Sequence, residues 1–244
     1  MFSTIIEWTN GNSGFLGLLL FLATIAYGWF SGIIRFLRHK PRLKLSLFQG
    51  PSFCTVLATG KQQGKYHVHR TAIAAYLGVA NIGSAPCSIE NVQVAFHWHV
   101  NRFSWYWLRY HLFWFWIEHP TTVLEDFQYA IGKRIKVYPS LLQSSNLTGK
   151  DRTSYLREGE SSNGVVYFET PDSWGGCFPS PRKDGTVKIR IALVDSFGTK
   201  HKSTFRIRIV SLAEGREYNP SWGATFETIR NDEEVFDFAE TLNK

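Results

Sequence analysis

No Asp, Glu, Lys, Arg or His occurs between Thr9 and Ile34, and nothing else in this 244-residue chain restricts its fold so strongly. Gly14 to Ile34 (GFLGLLLFLATIAYGWFSGII) is almost wholly apolar. As a helix it reaches roughly 31 Å, enough for a hydrocarbon core about 30 Å thick. Within lipid a lone segment satisfies its own backbone only as a helix. Trp8, Tyr27, Trp29 and Phe30 fall near its ends, where amphipathic rings favour the interface. A cleaved signal peptide needs a basic leading region and a shorter apolar core, whereas residues 2–13 carry no Lys or Arg and only Glu7. The pattern predicts a retained transmembrane helix over residues 14–37, preceded by an extracytoplasmic N-terminus over 1–13.

The flanks predict the orientation. Arg35, Arg38, Lys40, Arg42 and Lys44 follow the apolar run, with His39 among them, and no Lys or Arg precedes it. The positive-inside rule then puts the N-terminus outside and the rest in the cytoplasm, as a single-pass protein of the plasma (inner) membrane. Those five cations, in and just before a basic juxtamembrane linker over 38–48, are candidates for contact with lipid headgroups, each worth about 1 kcal/mol close to an anionic leaflet. Cys54, Cys87 and Cys177 are isolated and lack CxxC spacing, as suits reduced thiols. On that side of the membrane Asn146-Leu147-Thr148 is a chance match to a glycosylation acceptor. Gly28 and Gly32 form a GxxxG pair, extended by Thr24, through which two helices could approach as a homodimer; small residues are also common in membrane helices generally.

Residues 49–212 read as one β-domain. Ile73, Ala75, Leu77 and Val79 share one face of a strand, as do Val92, Val94, Phe96, Trp98 and Val100 of the next. Val187, Ile189, Ile191 and Leu193 alternate with Lys188 and Arg190, the turn Asp195-Ser196-Phe197-Gly198 follows, and Phe205, Ile207 and Ile209 alternate with Arg206 and Arg208. Further strands are expected near 44–57, 123–137 and 165–169. Seven or so short strands between turns indicate a β-sandwich.

The segment Tyr76-Leu77-Gly78-Val79-Ala80-Asn81-Ile82-Gly83-Ser84-Ala85-Pro86 resembles the V-x-N-x-G-x-x-x motif of immunoglobulin-like modules of bacterial adhesion type. The resemblance implies a chain reversal at Asn-x-Gly between two core strands. It covers about a dozen residues and implies a fold but no activity. The Cys-Trp-Cys core of antibody domains is absent. The expected fold is therefore mainly β: an immunoglobulin-like β-sandwich with one N-terminal transmembrane helix and a short C-terminal helix.

Aromatic residues make up 16% of the chain, and nine of them crowd into Phe103 to Trp116 (FSWYWLRYHLFWFW). Exposed to water they would form a large apolar patch. At headgroup depth the same rings are at home, and Arg102, Arg109 and His111 could face phosphates. The leading reading is a membrane-interface insertion over 101–119, with Trp105, Trp107, Tyr110, Trp114 and Trp116 as its anchors. An ordinary core or dimer contact and an aromatic ligand pocket are the alternatives.

The net charge of +7 points to an anionic partner. Pairing Lys188 with Arg206 across the Gly198 turn puts Lys188, Arg190, Arg206 and Arg208 on one outward face. Like charges so placed destabilise a sheet unless something anionic compensates. The acidic tail over 213–244 has a net −4 in residues 227–244, leaving +11 on the rest. Asn231-Asp232-Glu233-Glu234 reads as a helix start, with Val235, Phe238 and Leu242 on one face.

Signatures of chemistry fail. There is no GxSxG, GxxxxGK[ST], GxGxxG after a strand, or HExxH. His67/His69 and His97/His99 have the His-x-His spacing of strand-borne metal ligands, but solvated or packed histidines explain them as well. No metal, cofactor or catalytic residue is assigned. No RNP, helix-turn-helix or zinc-finger spacing supports nucleic acid. The expectation is a non-enzymatic binding or scaffold module at the membrane, touching lipid and a protein partner. The alternative is a sensor whose membrane-facing aromatics perturb the bilayer on ligand binding or oligomerisation.

Overall fold

The computed structural model describes residues 7, 8, 10–30, 39–98, 105, 114–143, 154–224, 229 and 234–238. The chain separates into two compact units, 1–40 and 41–244. Gly32, Arg35, Arg38, His99, Trp107, Tyr110 and the Asn146 acceptor lie outside the described residues.

The first unit holds helix α1, Ser13–Phe30, with no buried residue. Its mean hydropathy of 1.7 makes it long and apolar enough to cross a bilayer. The Thr24 hydroxyl donates to the Leu20 carbonyl at 2.8 Å, so this polar side chain is satisfied within the helix itself.

The second unit is sheet-rich. Its strands are β1 (Leu43–Leu47), β2 (Phe53–Gln63), β3 (Tyr66–Asn81), β4 (Cys87–Phe96), β5 (Phe115–Ile117), β6 (Phe127–Ile131), β7 (Arg134–Tyr138), β8 (Tyr155–Leu156), β9 (Ser161–Glu169), β10 (Thr186–Asp195), β11 (Lys200–Ile209) and β12 (Phe236–Asp237), with helix α2 at Leu212–Tyr218. The hydrogen-bonded order is β1-β3-β2-β11-β10-β4-β5, with β9 on β3, β8 on β4 and β12 on β2, while β6 and β7 form a separate hairpin. The long strand β3 organises this path. β1 and β2 share one of its edges, pairing with Leu77–Asn81 and Tyr66–Ala74, and β9 takes the other. β2 and β11 are parallel, joined at Phe53↔Arg208 and Cys54↔Ile209.

Period-two alternation decides what is buried. Ile73, Ala75, Leu77 and Val79 of β3, Val92, Val94 and Phe96 of β4, and Val187, Ile189, Ile191 and Leu193 of β10 belong to one core. The opposite face of β2, β3 and β9 carries a second core of Phe53, Leu57, Ala72, Ala74, Val165 and Tyr167. Phe127 and Tyr138 of the hairpin, Leu212 of α2, and Trp222 close it. Trp222 is fully buried, and its indole N–H donates to the Thr55 hydroxyl at 3.1 Å. A buried tryptophan of this kind requires such a partner.

The reversal expected at Asn81 has a physical cause. The buried Asn81 amide donates to the carbonyls of Ala85 at 2.8 Å and Leu156 at 3.3 Å. Its oxygen accepts from the N–H groups of Gly83 and Arg42. One side chain thus closes the β3–β4 turn and fastens the start of β1 to it.

Three boundaries differ from expectation. Strand β1 begins at Leu43, inside the anticipated linker, because Leu43 and Leu45 alternate into the core. Strand β5 lies inside the anticipated insertion, pairing with Val94–Phe96. The tail helix expected from Asn231 gives way, at Phe236–Asp237, to strand β12 on Leu57–Ala58 of β2. Edge pairing takes Phe236 and Asp237, and Phe238 after them packs on His69 and Phe178. Helix α2 lies earlier in the chain, at Leu212–Tyr218. Ser211 is its N-cap, and the Ser211 hydroxyl accepts from Glu214 N–H at 3.2 Å.

Candidate binding face

The hairpin β10–β11 has the register that the Gly198 turn predicts: Lys188↔Arg206, Arg190↔Thr204 and Thr186↔Arg208. The residues in phase with Lys188 and Arg190 point away from the core. On β11 they include Lys200, Lys202, Arg206 and Arg208, all exposed.

The neighbouring strands supply aromatic residues to this face. Ala95 of β4 stands between Arg190 and Trp116 in the same row. The Arg190 guanidinium lies 4.4 Å from the Trp114 ring centroid, and the Lys188 ammonium 5.7 Å from it. Lys202 lies 5.7 Å from the Trp116 ring. Both tryptophans are half-buried, and the outward-phase alanines Ala95 and Ala192 have no exposed surface. Small residues here leave the recess that the indoles fill. Phe115, between the two tryptophans, turns inward against Phe96 and Trp98.

The electrostatics follow from this placement. Arg208 pairs with Glu214 at 2.6 Å. Among the described residues no carboxylate pairs with Lys188, Arg190, Lys202 or Arg206. Each cation–ring contact contributes about 0.5–1 kcal/mol at an exposed site and fixes the charge in space. The result is an ordered cationic stripe that lacks intramolecular neutralisation.

Two groups of residues that the sequence presents separately, Trp114 and Trp116 of the aromatic block and the β10–β11 stripe, therefore share one face. Lys200 and Lys202 belong to it too, beyond the four residues that the sequence expectation names. The same alternation that marks Arg206 and Arg208 identifies them. Trp105 is 76% exposed. Lys40, Arg42 and Lys44 are exposed, with Lys44 opposite Ala80 on β1. At Gly28 a Cβ would meet nothing within 4 Å.

Of the two His-x-His pairs, His67, His69 and His97 are among the described residues. His69 is fully buried beside Phe178 and Phe238, and burial pushes its imidazole below the usual range, so it is neutral. His97 stacks on Trp114 at 4.0 Å. Among the described residues no group of three or more His, Cys, Asp or Glu could hold a metal ion. All three cysteines are buried, and burial raises their thiols.

A buried polar cluster lies elsewhere. Arg70 binds Asp172 at 2.5 Å and Glu169 at 3.5 Å, and the Tyr167 hydroxyl donates to Glu169. Burial raises the Glu169 carboxyl above its ordinary range despite Tyr167 and Arg70. Arg70 and Glu169 are almost sealed from solvent, so the cluster serves the fold.

No protein-family model matches the sequence, and no curated protein matches it. Among solved structures, the ApaA protein from Bordetella pertussis aligns over 69% of this chain and 94% of its own, at 10% identity and a TM-score of 0.26. A superposition that loose does not establish a shared fold.

Proposed function

We propose that this chain is a single-pass membrane protein whose cytoplasmic domain, an immunoglobulin-like β-sandwich, is a non-enzymatic binding module for an acidic protein partner. The exposed apolar helix α1 and the basic residues after it support the anchor and its orientation. The shared core of β3, β4 and β10 and the Asn81 turn support the sandwich.

The observation that carries the binding role is the cationic stripe on Trp114 and Trp116. From Lys200 to Arg208 it runs roughly 27 Å along one strand, the footprint of an acidic helix or strand. The indole rings bear cations already, which leaves them poorly placed to stack nucleic-acid bases. Electrostatic complementarity of this kind favours specificity and fast association over raw affinity.

The test is capture from native membranes with the whole chain and with Lys188→Glu/Arg190→Glu/Arg206→Glu. The wild type should retain a defined acidic protein that the charge-reversed variant loses. Recovery of the same proteins by both would refute the reading.

A further inference from the structure

Four segments meet at one end of the second unit. These are the start of β1 at Arg42, the turn Asn81–Pro86, the segment Ser154–Glu160, and the turn Asp195–Lys200. They are stitched by hydrogen bonds. Ile82 N–H donates to the Arg42 carbonyl at 2.8 Å, and Asn81 N–H to Glu160 at 2.9 Å. Ser196 N–H donates to the Ser88 carbonyl at 3.0 Å, and Ser88 pairs with Tyr155 of β8. The Phe197 turn is held from below: Asp195 accepts from the N–H groups of Phe197 and Thr199, each at 2.9 Å, and His201 binds the same carboxylate at 2.8 Å.

On this rigid end three large apolar side chains face outward. Phe197 is 66% exposed, Ile82 53% and Tyr155 53%. Each sits at or beside a turn, where a polar residue would serve the backbone equally well. Arg42, Arg157 and Lys200 are exposed around them, as are Glu158 and Glu160. The second unit also begins here, at Pro41. Ten residues, 31–40, lie in sequence between Phe30 of α1 and Pro41, so the chain there spans at most roughly 35 Å.

From this juxtaposition we infer that the Ile82–Tyr155–Phe197 end docks on the bilayer surface, its apolar tips at headgroup depth and its cations at lipid phosphates. The occupant is lipid because at most that length of chain separates this end from the apolar helix and because apolar tips flanked by Arg42, Arg157 and Lys200 match an anionic headgroup layer. The inference rests on the membrane-anchor reading. It assigns lipid contact to the end of the domain and leaves the β10–β11 face to a partner.

The experiment uses the whole chain in vesicles of mixed zwitterionic and anionic phospholipid. Single substitutions Phe197→Cys, Ile82→Cys and Lys65→Cys are labelled with an environment-sensitive fluorophore. The native thiols are buried and leave the introduced one as the reactive site. Lys65 lies in the β2–β3 turn at the other end of β3. Labels at 197 and 82 should shift to the blue and be quenched by brominated lipid, and the label at 65 should do neither. Equal, water-like emission at 65, 82 and 197 would overturn the inference. So would a blue shift without brominated-lipid quenching, which would indicate a covering protein. Flotation with the vesicles is read in the same samples. A chain that floats with unquenched tips refutes only the docking, whereas a chain that does not float refutes the anchor itself.

Discussion

The Arg190 guanidinium lies 4.4 Å from the centroid of the Trp114 ring, two residues before the row in which Ala95 stands between Arg190 and Trp116. The charge is thereby fixed rather than free to sweep through solvent. Trp114→Ala and Arg190→Ala should each lower stability, and the double variant should lose less than their sum. A coupling of about 0.5–1 kcal/mol is expected. Chemical denaturation of the detergent-solubilised chain measures it, and strict additivity would contradict the contact.

Asp195 governs a different part of the molecule. Burial acts to raise its carboxyl, but hydrogen bonds from His201, Thr199 and Phe197 outweigh that and hold it below the usual range. Its contribution is therefore present above the unfolded value of about 3.9 and lost as pH falls through the lower folded value. Asp195→Asn should cost roughly 1.5–3 kcal/mol at neutral pH and flatten stability against pH below about pH 4. Thermal melts across that range test it.

Glu169 has the opposite sign. Burial raises its folded-state value, so the fold prefers the protonated acid. Its contribution is fully present below the unfolded value of about 4.3 and declines as pH rises through the folded value. Glu169→Gln should remove that decline. An unchanged pH profile in the variant would show that Arg70 compensates the carboxylate fully.

Gly164 on β9 admits no side chain. A Cβ there would lie 2.5 Å from Leu141 N and 2.6 Å from its Cα, both backbone atoms that cannot rotate away. Gly164→Ala should destabilise by about 1–3 kcal/mol. Gly185→Ala serves as a control, because a Cβ there meets nothing within 4 Å and the cost comes from its positive φ alone.

Much of the sheet was legible because alternation is a local signal. Ile73 to Val79 and Val187 to Leu193 can be assigned to the core from neighbouring residues alone, and the Asp195–Gly198 turn sets the pairing of Lys188 with Arg206. The binding face was legible only in halves. Trp114 and Arg190 are far apart in sequence, and only the pairing of β5 with β4 and of β4 with β10 joins them. A three-residue strand inside an aromatic run has no period to reveal it. The tail misled for a related reason. Asn231 to Glu234 has good helix-start chemistry, but the open edge of β2 at Leu57–Ala58 offers Phe236 and Asp237 a better set of backbone partners. For α2 the Ser211–Glu214 spacing was a usable signal, and Trp222 was not, since its partner Thr55 is remote in sequence.

The parallel joint between β2 and β11 has a kinetic consequence. Phe53 and Cys54 meet Arg208 and Ile209, and Thr55 bonds to the Val210 carbonyl, a partner 155 residues downstream. At ordinary synthesis rates that partner emerges roughly 8–30 s after Thr55. Throughout that interval β2 lacks β11 beside it and β12 on its edge, and the core it shares with β10 is not yet translated. The domain closes only as the last quarter of the chain is made, by which time α1 has long left the ribosome. Folding of this high-contact-order sheet is thus a late event in synthesis, long after α1 has been made.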